Sequence, residues 1–169
     1  DKTIYELVSK DRYAYACTGF GIVVIDLNKT EVKDTYILGD NNTQIKVKDV
    51  HVSNDSIFAL TDIGIRSASL SNAFLSDANS WSSVSIPSGL VLDHFESKSN
   101  DFIAYGEKNI IVQYNSGQWD TLIFNPIENL NNVKYDNEKL MTCTPSYITF
   151  YYDNLDTNEL ICAYNGYTG

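Results

Sequence analysis

The chain is poor in the residues that usually announce chemistry. Histidine occurs twice, at His51 and His94, cysteine three times and methionine once in 169 residues. Basic residues are also scarce, with 12 Lys and Arg against 22 Asp and Glu, for a formal charge of −10. Such a chain lacks the clustered cations that replace counterions along nucleic-acid phosphates, and it is equally unsuited to anionic membrane surfaces. No apolar run approaches the roughly 18 to 20 residues of a spanning helix, and no charged segment with a following apolar stretch opens the chain as a secretion leader does. Cys17, Cys143 and Cys162 show no metal-ligand spacing and sit inside apolar strand patterns, so they read as buried thiols. A Cys143–Cys162 bridge stays open, because sequence does not give the Cα separation that a disulfide needs. A nucleophile elbow and a Gly-rich phosphate loop are missing too, and no cofactor is implied.

Helical periodicity is absent throughout, and one recurring pattern takes its place. Tyr13-Ala14-Tyr15-Ala16-Cys17-Thr18 can be laid over Ser56-Ile57-Phe58-Ala59-Leu60-Thr61, over Asp101-Phe102-Ile103-Ala104-Tyr105-Gly106, and over Lys139-Leu140-Met141-Thr142-Cys143-Thr144. From Ala16 to Ala59 is 43 residues, from Ala59 to Ala104 is 45 and from Ala104 to Thr142 is 38. A period of roughly 40 residues that holds four short strands is the signature of β-propeller blades. The expected fold is all-β, with four four-stranded antiparallel units near residues 4–38, 48–86, 91–124 and 127–165 forming a single propeller segment. Asn54-Asp55 and Asn115-Ser116-Gly117 are hairpin turns. An insertion at Ser71–Trp81 is long enough for a helical turn, with Leu75, Trp81 and Phe74 expected to pin it to its blade. Each unit owns a full set of four strands, whereas closed rings often complete one blade from both chain ends. The chain therefore reads as an arc of a larger propeller, an excised piece whose exposed blade flanks pair with one another.

Candidate binding residues follow from the repeat. Asp49, Asp93 and Asn132 stand just before or inside the first strand of successive units, near the expected mouth of the central channel, where they would meet a cation or sugar hydroxyls. Equally, each side chain can cap backbone N–H groups in a turn. The same end carries Gly19-Phe20, Asp62-Ile63, Glu107-Lys108 and Pro145-Ser146, and apolar members such as Phe20 are contact candidates. Tyrosine is abundant, at 12 residues, and Tyr147 belongs to a C-terminal group that either packs blades or forms a binding platform. Asp93 and His94 are neighbours on a strand and point to opposite faces, which argues against an acid–base pair. If the chain were a glycosidase or polysaccharide lyase, Asp49 with Asp93 is the pair to nominate.

Two stretches carry a family likeness. "GIVVIDLNKTEVKDTYILG", followed by "VKDVHVSNDSIFALTDIGIRSASLSNAFLSDANSWSSVSIPSG", resembles the N-terminal propeller region of PorZ-like proteins of Bacteroidetes. The likeness lies in the "DTYILG" outer strand and the "LSDANSW" insertion before a "PSG" turn, and it covers about Asp11 to Gly89. It overlaps the two-component-regulator propellers of the same bacteria. The PorZ resemblance implies a non-enzymatic, cell-surface component of the type IX secretion attachment machinery, with protein partners in that complex and a role in lipopolysaccharide delivery. The regulator resemblance implies a periplasmic, glycan-sensing module of a hybrid sensor. Both place the chain in the periplasm or on the outer surface of a Gram-negative bacterium.

Overall fold

Strand-forming Val, Ile, Tyr and Thr, broken by Gly, Asn and Asp at regular intervals, give the chain its architecture. The computed structural model describes residues 3–98, 100–106, 110–124, 130–136, 139–145, 147–152 and 158–163. These form four antiparallel sheets of four strands. The first holds β1 (Ile4–Lys10), β2 (Tyr13–Thr18), β3 (Gly21–Asp26) and β4 (Glu31–Tyr36). The second holds β5 (Val47–Val52), β6 (Ser56–Thr61), β7 (Gly64–Ser69) and β8 (Ser82–Val84). The third holds β9 (Leu92–Lys98), β10 (Asp101–Gly106), β11 (Ile110–Asn115) and β12 (Gln118–Phe124). The fourth holds β13 (Asn132–Asp136), β14 (Lys139–Cys143), β15 (Tyr147–Tyr152) and β16 (Asn158–Ala163). In every sheet the strands lie side by side in chain order, which is the meander of a propeller blade. The four sheets span residues 4–36, 47–84, 92–124 and 132–163. The outermost residues of the expected fourth unit, at 127 and 164–165, lie outside the described residues.

The chain divides into two compact units, Asp1–Pro87 with Asp93–Phe95, and Ser88–Leu92 with Glu96–Gly169. In the first, the apolar faces of two sheets share one core. Tyr15, Cys17, Ile22, Val24 and Tyr36 of the first sheet cluster with Val50, Val52, Ile57, Ala59 and Ala68 of the second. Burial pushes the Cys17 thiol pKa well up, which makes it an inert core side chain. Cys17 and Cys143 are free thiols, Cys143 half-buried, and the Cys162 side chain lies outside the described residues.

The insertion after β7 is pinned as expected by Leu75 and Trp81, which are 6% and 5% exposed. Trp81 Nε1 donates to the Leu75 carbonyl at 2.9 Å, and its ring lies 6.0 Å from that of Tyr36. A 3-10 turn at Ala78–Ser80 is capped by Asp77, which accepts from the Asn79 N–H. Phe74 does not join them. It is 71% exposed, because its neighbour Leu75 takes the inward position of the loop.

Ser116 and Gly117 both have positive φ and link Asn115 to Gln118 in a tight hairpin turn, as expected of that tripeptide. In the second unit, Ile103, Tyr105, Ile111, Val133 and Leu140 form a separate core cluster. Phe102 is sealed at its edge by Tyr114, stacked at 5.0 Å, and by Trp119, edge-on at 5.8 Å.

The first sheet also has an apolar face with nothing described against it. Ile4 pairs with Thr18 in the same register as Val47 with Thr61, and Leu7 pairs with Ala16 as Val50 does with Ala59. Val47 and Val50 are 0% and 2% exposed, whereas Ile4 and Leu7 are 58% and 56% exposed. The same positions are therefore interior where a preceding sheet covers them and bare where none does.

Two glycines open equivalent strands but differ in surroundings. Gly21 and Gly64 have φ of +141° and +118°. A Cβ on Gly21 would stand 2.1 Å from the Tyr36 carbonyl oxygen, while one on Gly64 would meet nothing within 4 Å. Gly64→Ala should cost only the conformational strain, about 1–2 kcal/mol, and Gly21→Ala above about 3 kcal/mol because β4 must also move. Denaturant melts of the two variants check the order.

Candidate functional site

The first two sheets build the same small constellation at one end. Thr18 Oγ1 donates to the Gly21 carbonyl at 2.8 Å and accepts from the Phe20 N–H at 3.3 Å. Thr61 Oγ1 donates to the Gly64 carbonyl at 2.6 Å and accepts from the Ile63 N–H at 3.2 Å. One hydroxyl thus closes each β-hairpin turn and lifts an apolar residue to its tip. Phe20 is half-buried there, and Ile63 is 58% exposed. The signal is visible in sequence as Thr-x-(Phe/Ile)-Gly, a pattern that Gly106 and Thr144-Pro145 only partly repeat.

Beside these turns, the innermost strands carry a bulge. Register shifts between Ile4 and Glu6 and between Val47 and Asp49 insert one extra residue into β1 and β5. Glu6, Asp49 and Asn132 share a register, opposite Cys17, Leu60 and Cys143. Glu6 stands at the same spacing before Cys17 as Asp49 before Leu60, and this shared spacing is the signal that could have marked it in the sequence.

Asp49 is 4% exposed and its two oxygens are engaged by main chain. Oδ1 accepts from the Val50 N–H and Oδ2 from the Phe95 N–H, each at 2.7 Å. The carboxylate therefore ties β5 to β9. Asp93, half-buried on β9, forms an ion pair with Lys48 at 2.7 Å. His94 Nδ1 lies 4.0 Å from Asp49 Oδ2, beyond hydrogen-bond reach, with its side chain half exposed. The carboxylate it approaches is that of Asp49, on another strand, in keeping with the reading that Asp93 and His94 point apart. In the second unit Glu96 repeats the Asp49 arrangement. Its Oε1 accepts from the Tyr135 N–H at 3.1 Å and its Oε2 pairs with Lys134 at 2.8 Å, tying β9 to β13. Asn132 opens β13 and is exposed, and Pro145 is exposed in the following turn. The Tyr147 side chain, Glu107-Lys108 and Ser146 lie outside the described residues.

Among the described residues, this end of the first unit offers hydrophobic tips and the Lys48–Asp93 ion pair. Asp49 is placed to hold strands together, since each of its buried oxygens accepts a main-chain N–H in a charge-assisted hydrogen bond.

Four-stranded meanders repeated at this period, with hydroxyl-closed turns gathered at one end, define a protein of β-propeller blades. Residues 1–82 match the family described as "TSS9, PorZ, N-terminal beta-propeller domain", so the likeness read in the sequence is shown for that segment. No curated protein matches the chain in sequence. Among solved structures, PorZ of Porphyromonas gingivalis superposes with a TM-score of 0.73 at 22% identity, covering 96% of this chain and 21% of that one. The extracellular domain of BT4673 from B. thetaiotaomicron gives 0.66 at 16% identity, covering 95% and 22%. The computationally designed Ika4 protein gives 0.62 at 8% identity, covering 89% and 91%. At these identities the superpositions show the fold, and the chain spans about a fifth of the PorZ and BT4673 structures.

Replacing Asp49 by Ala removes the acceptor for two buried N–H groups, and a loss of about 2–4 kcal/mol is expected. Asp49→Asn keeps one acceptor oxygen and should lose less. Urea melts of the two variants decide whether Asp49 acts as this tie.

Proposed function

We propose that the chain is a non-enzymatic, extracytoplasmic binding module of a PorZ-like surface component. The match of residues 1–82 to the PorZ propeller family carries this reading. The similar P. gingivalis protein is described as an essential bacterial surface component of the type-IX secretion system. By this reading the chain contributes to a cell-surface attachment complex and to lipopolysaccharide delivery, with protein partners in that complex. The contact residues are Phe20 and Ile63 at the turn tips, with Asp93, Asn132 and Tyr147 as polar and aromatic candidates. Asp49 takes part through its grip on β9. The engagement of Asp49 by two backbone N–H groups supports a binding role over a carboxylate-pair glycosidase.

A second reading, a periplasmic sensing region, is favoured by the superposition on BT4673, one structure of which is assigned to a hybrid two component system. The two readings separate in the native host. Phe20→Asp with Ile63→Asp in the intact parent protein should release surface-retained secreted cargo into the medium, while thermal stability changes by less than about 1 kcal/mol. Cargo retained at the surface, with loss instead of a ligand-induced transcriptional response, would overturn the first reading in favour of the second.

The bare face at Ile4 and Leu7 is the proposed contact for a further blade, supplied by the parent protein or by a second copy. Light scattering on the 169-residue chain should show concentration-dependent association, and Ile4→Lys with Leu7→Lys should abolish it. A strictly monomeric wild-type chain would remove this proposal.

A further inference from the structure

At the opposite end of the first unit's sheets, away from the hydroxyl-closed turns, a cleft of about 440 Å³ opens beside the β1–β2 and β5–β6 turns. That volume lies within the roughly 300–1,000 Å³ of small-molecule sites. Tyr15 and Tyr36 reach into it although the residues are only 4% and 5% exposed. Neither hydroxyl has a hydrogen-bond partner among the described residues. Both residues are buried in the core while their hydroxyls open on the cleft floor, so two O–H groups that no described side chain engages are presented together to a polar ligand. Burial, together with nearby acidic groups, raises the pKa of both phenols, that of Tyr36 to about 12, which keeps both O–H donors intact at neutral pH.

The rim narrows the chemistry. Lys10, Lys33, Asp11 and Asp34 all line the cleft, and none of them forms an ion pair with a described residue. Asp34 accepts from the Thr35 N–H at 2.8 Å, which leaves its second oxygen for another donor. An apolar ligand would desolvate these charges without compensation. A polyanion would meet the two carboxylates, and a polycation the two ammonium groups.

Stacking on a sugar ring uses an open aromatic face, and among the described residues the cleft's aromatic rings are otherwise engaged. Lys33 Nζ already sits 4.1 Å over the Tyr13 ring, with the Arg12 guanidinium 5.0 Å from the same ring, and the Tyr15 and Tyr36 rings are part of the core. A ligand carrying one charge of each sign offers a partner to both kinds of charged group on the rim. We propose that this cleft binds the zwitterion of a free amino acid or short peptide, with the carboxylate received by the tyrosine hydroxyls and Lys33 and the ammonium by Asp34 and Asp11. The site is independent of the turn-tip contacts proposed above and reaches beyond them.

The test is a chemical-shift titration of the full 169-residue chain with L-alanyl-L-alanine, with its N-acetylated, C-amidated form, and with maltose. The free dipeptide should shift amides of β4 and of residues 52–54 saturably, and the blocked dipeptide and maltose should not. Tyr36→Phe should weaken binding about tenfold, the scale of one hydrogen bond to a charged group, with an unchanged melting temperature. Lys33→Met, at an exposed position, should weaken it comparably and guards against a folding defect in the tyrosine variant. Equal binding of the blocked dipeptide, binding of maltose in its place, affinity undiminished in both variants, or no response to the free dipeptide would each overturn the proposal.

Discussion

Both sheets of the first unit have apolar side chains on both faces, so each depends on a neighbour to cover it. In the first unit that cover is mutual. Tyr15, Cys17, Ile22, Val24 and Tyr36 bury Val50, Val52, Ile57 and Ala59, and the Trp81–Leu75 insertion closes the margin of the same core. The alanines of β2 and β6 belong to this logic, because a small residue in a central strand lets the covering sheet approach closely. Where cover is missing, as at Ile4 and Leu7, the same register positions become solvent-exposed hydrophobic surface.

Polar residues then take up what packing leaves undone. Asp49 and Glu96 each accept a main-chain N–H from a strand some 40 residues further on, which ties successive innermost strands without spending core volume. Asp26 is used similarly at a turn. Its Oδ1 accepts from the Asn28 and Lys29 N–H groups while its Oδ2 meets Arg12, whose charge and hydrogen bond hold the carboxyl pKa below its ordinary value. With these carboxylates committed to architecture, the contact surfaces proposed for the first unit are the turn tips, the bare face at Ile4 and Leu7, and the cleft at the far end. This division is typical of repeat folds, whose sheets form a rigid frame and whose loops carry specificity.

Much of this was legible because repetition amplifies weak signals. One strand such as Tyr-Ala-Tyr-Ala-Cys-Thr is ambiguous alone, but four copies at near-constant spacing define the meander, and Thr-x-(Phe/Ile)-Gly marks two of its turns. Leu75 and Trp81 announced their loop's anchoring through hydrophobicity. Phe74 announced it equally and lies in solvent, since which of two adjacent side chains turns inward depends on loop geometry. The polar candidates divided for a related reason. Asp49 and Asp93 look alike in sequence, yet one is buried on two N–H groups and the other is a half-exposed partner of Lys48.

What the sequence determined by itself was periodic: strand pattern, turn chemistry and the four four-stranded sheets, all set by neighbours within a few residues. Tertiary structure alone decided which carboxylates hold strands together, which apolar faces stay bare, and that Lys10, Tyr15, Lys33, Tyr36 and Asn54 line one cleft. The reason is the range of the interactions. Propensity and turn geometry act within one hairpin, whereas burial and pairing of a side chain are settled by contacts with a sheet some 40 residues away.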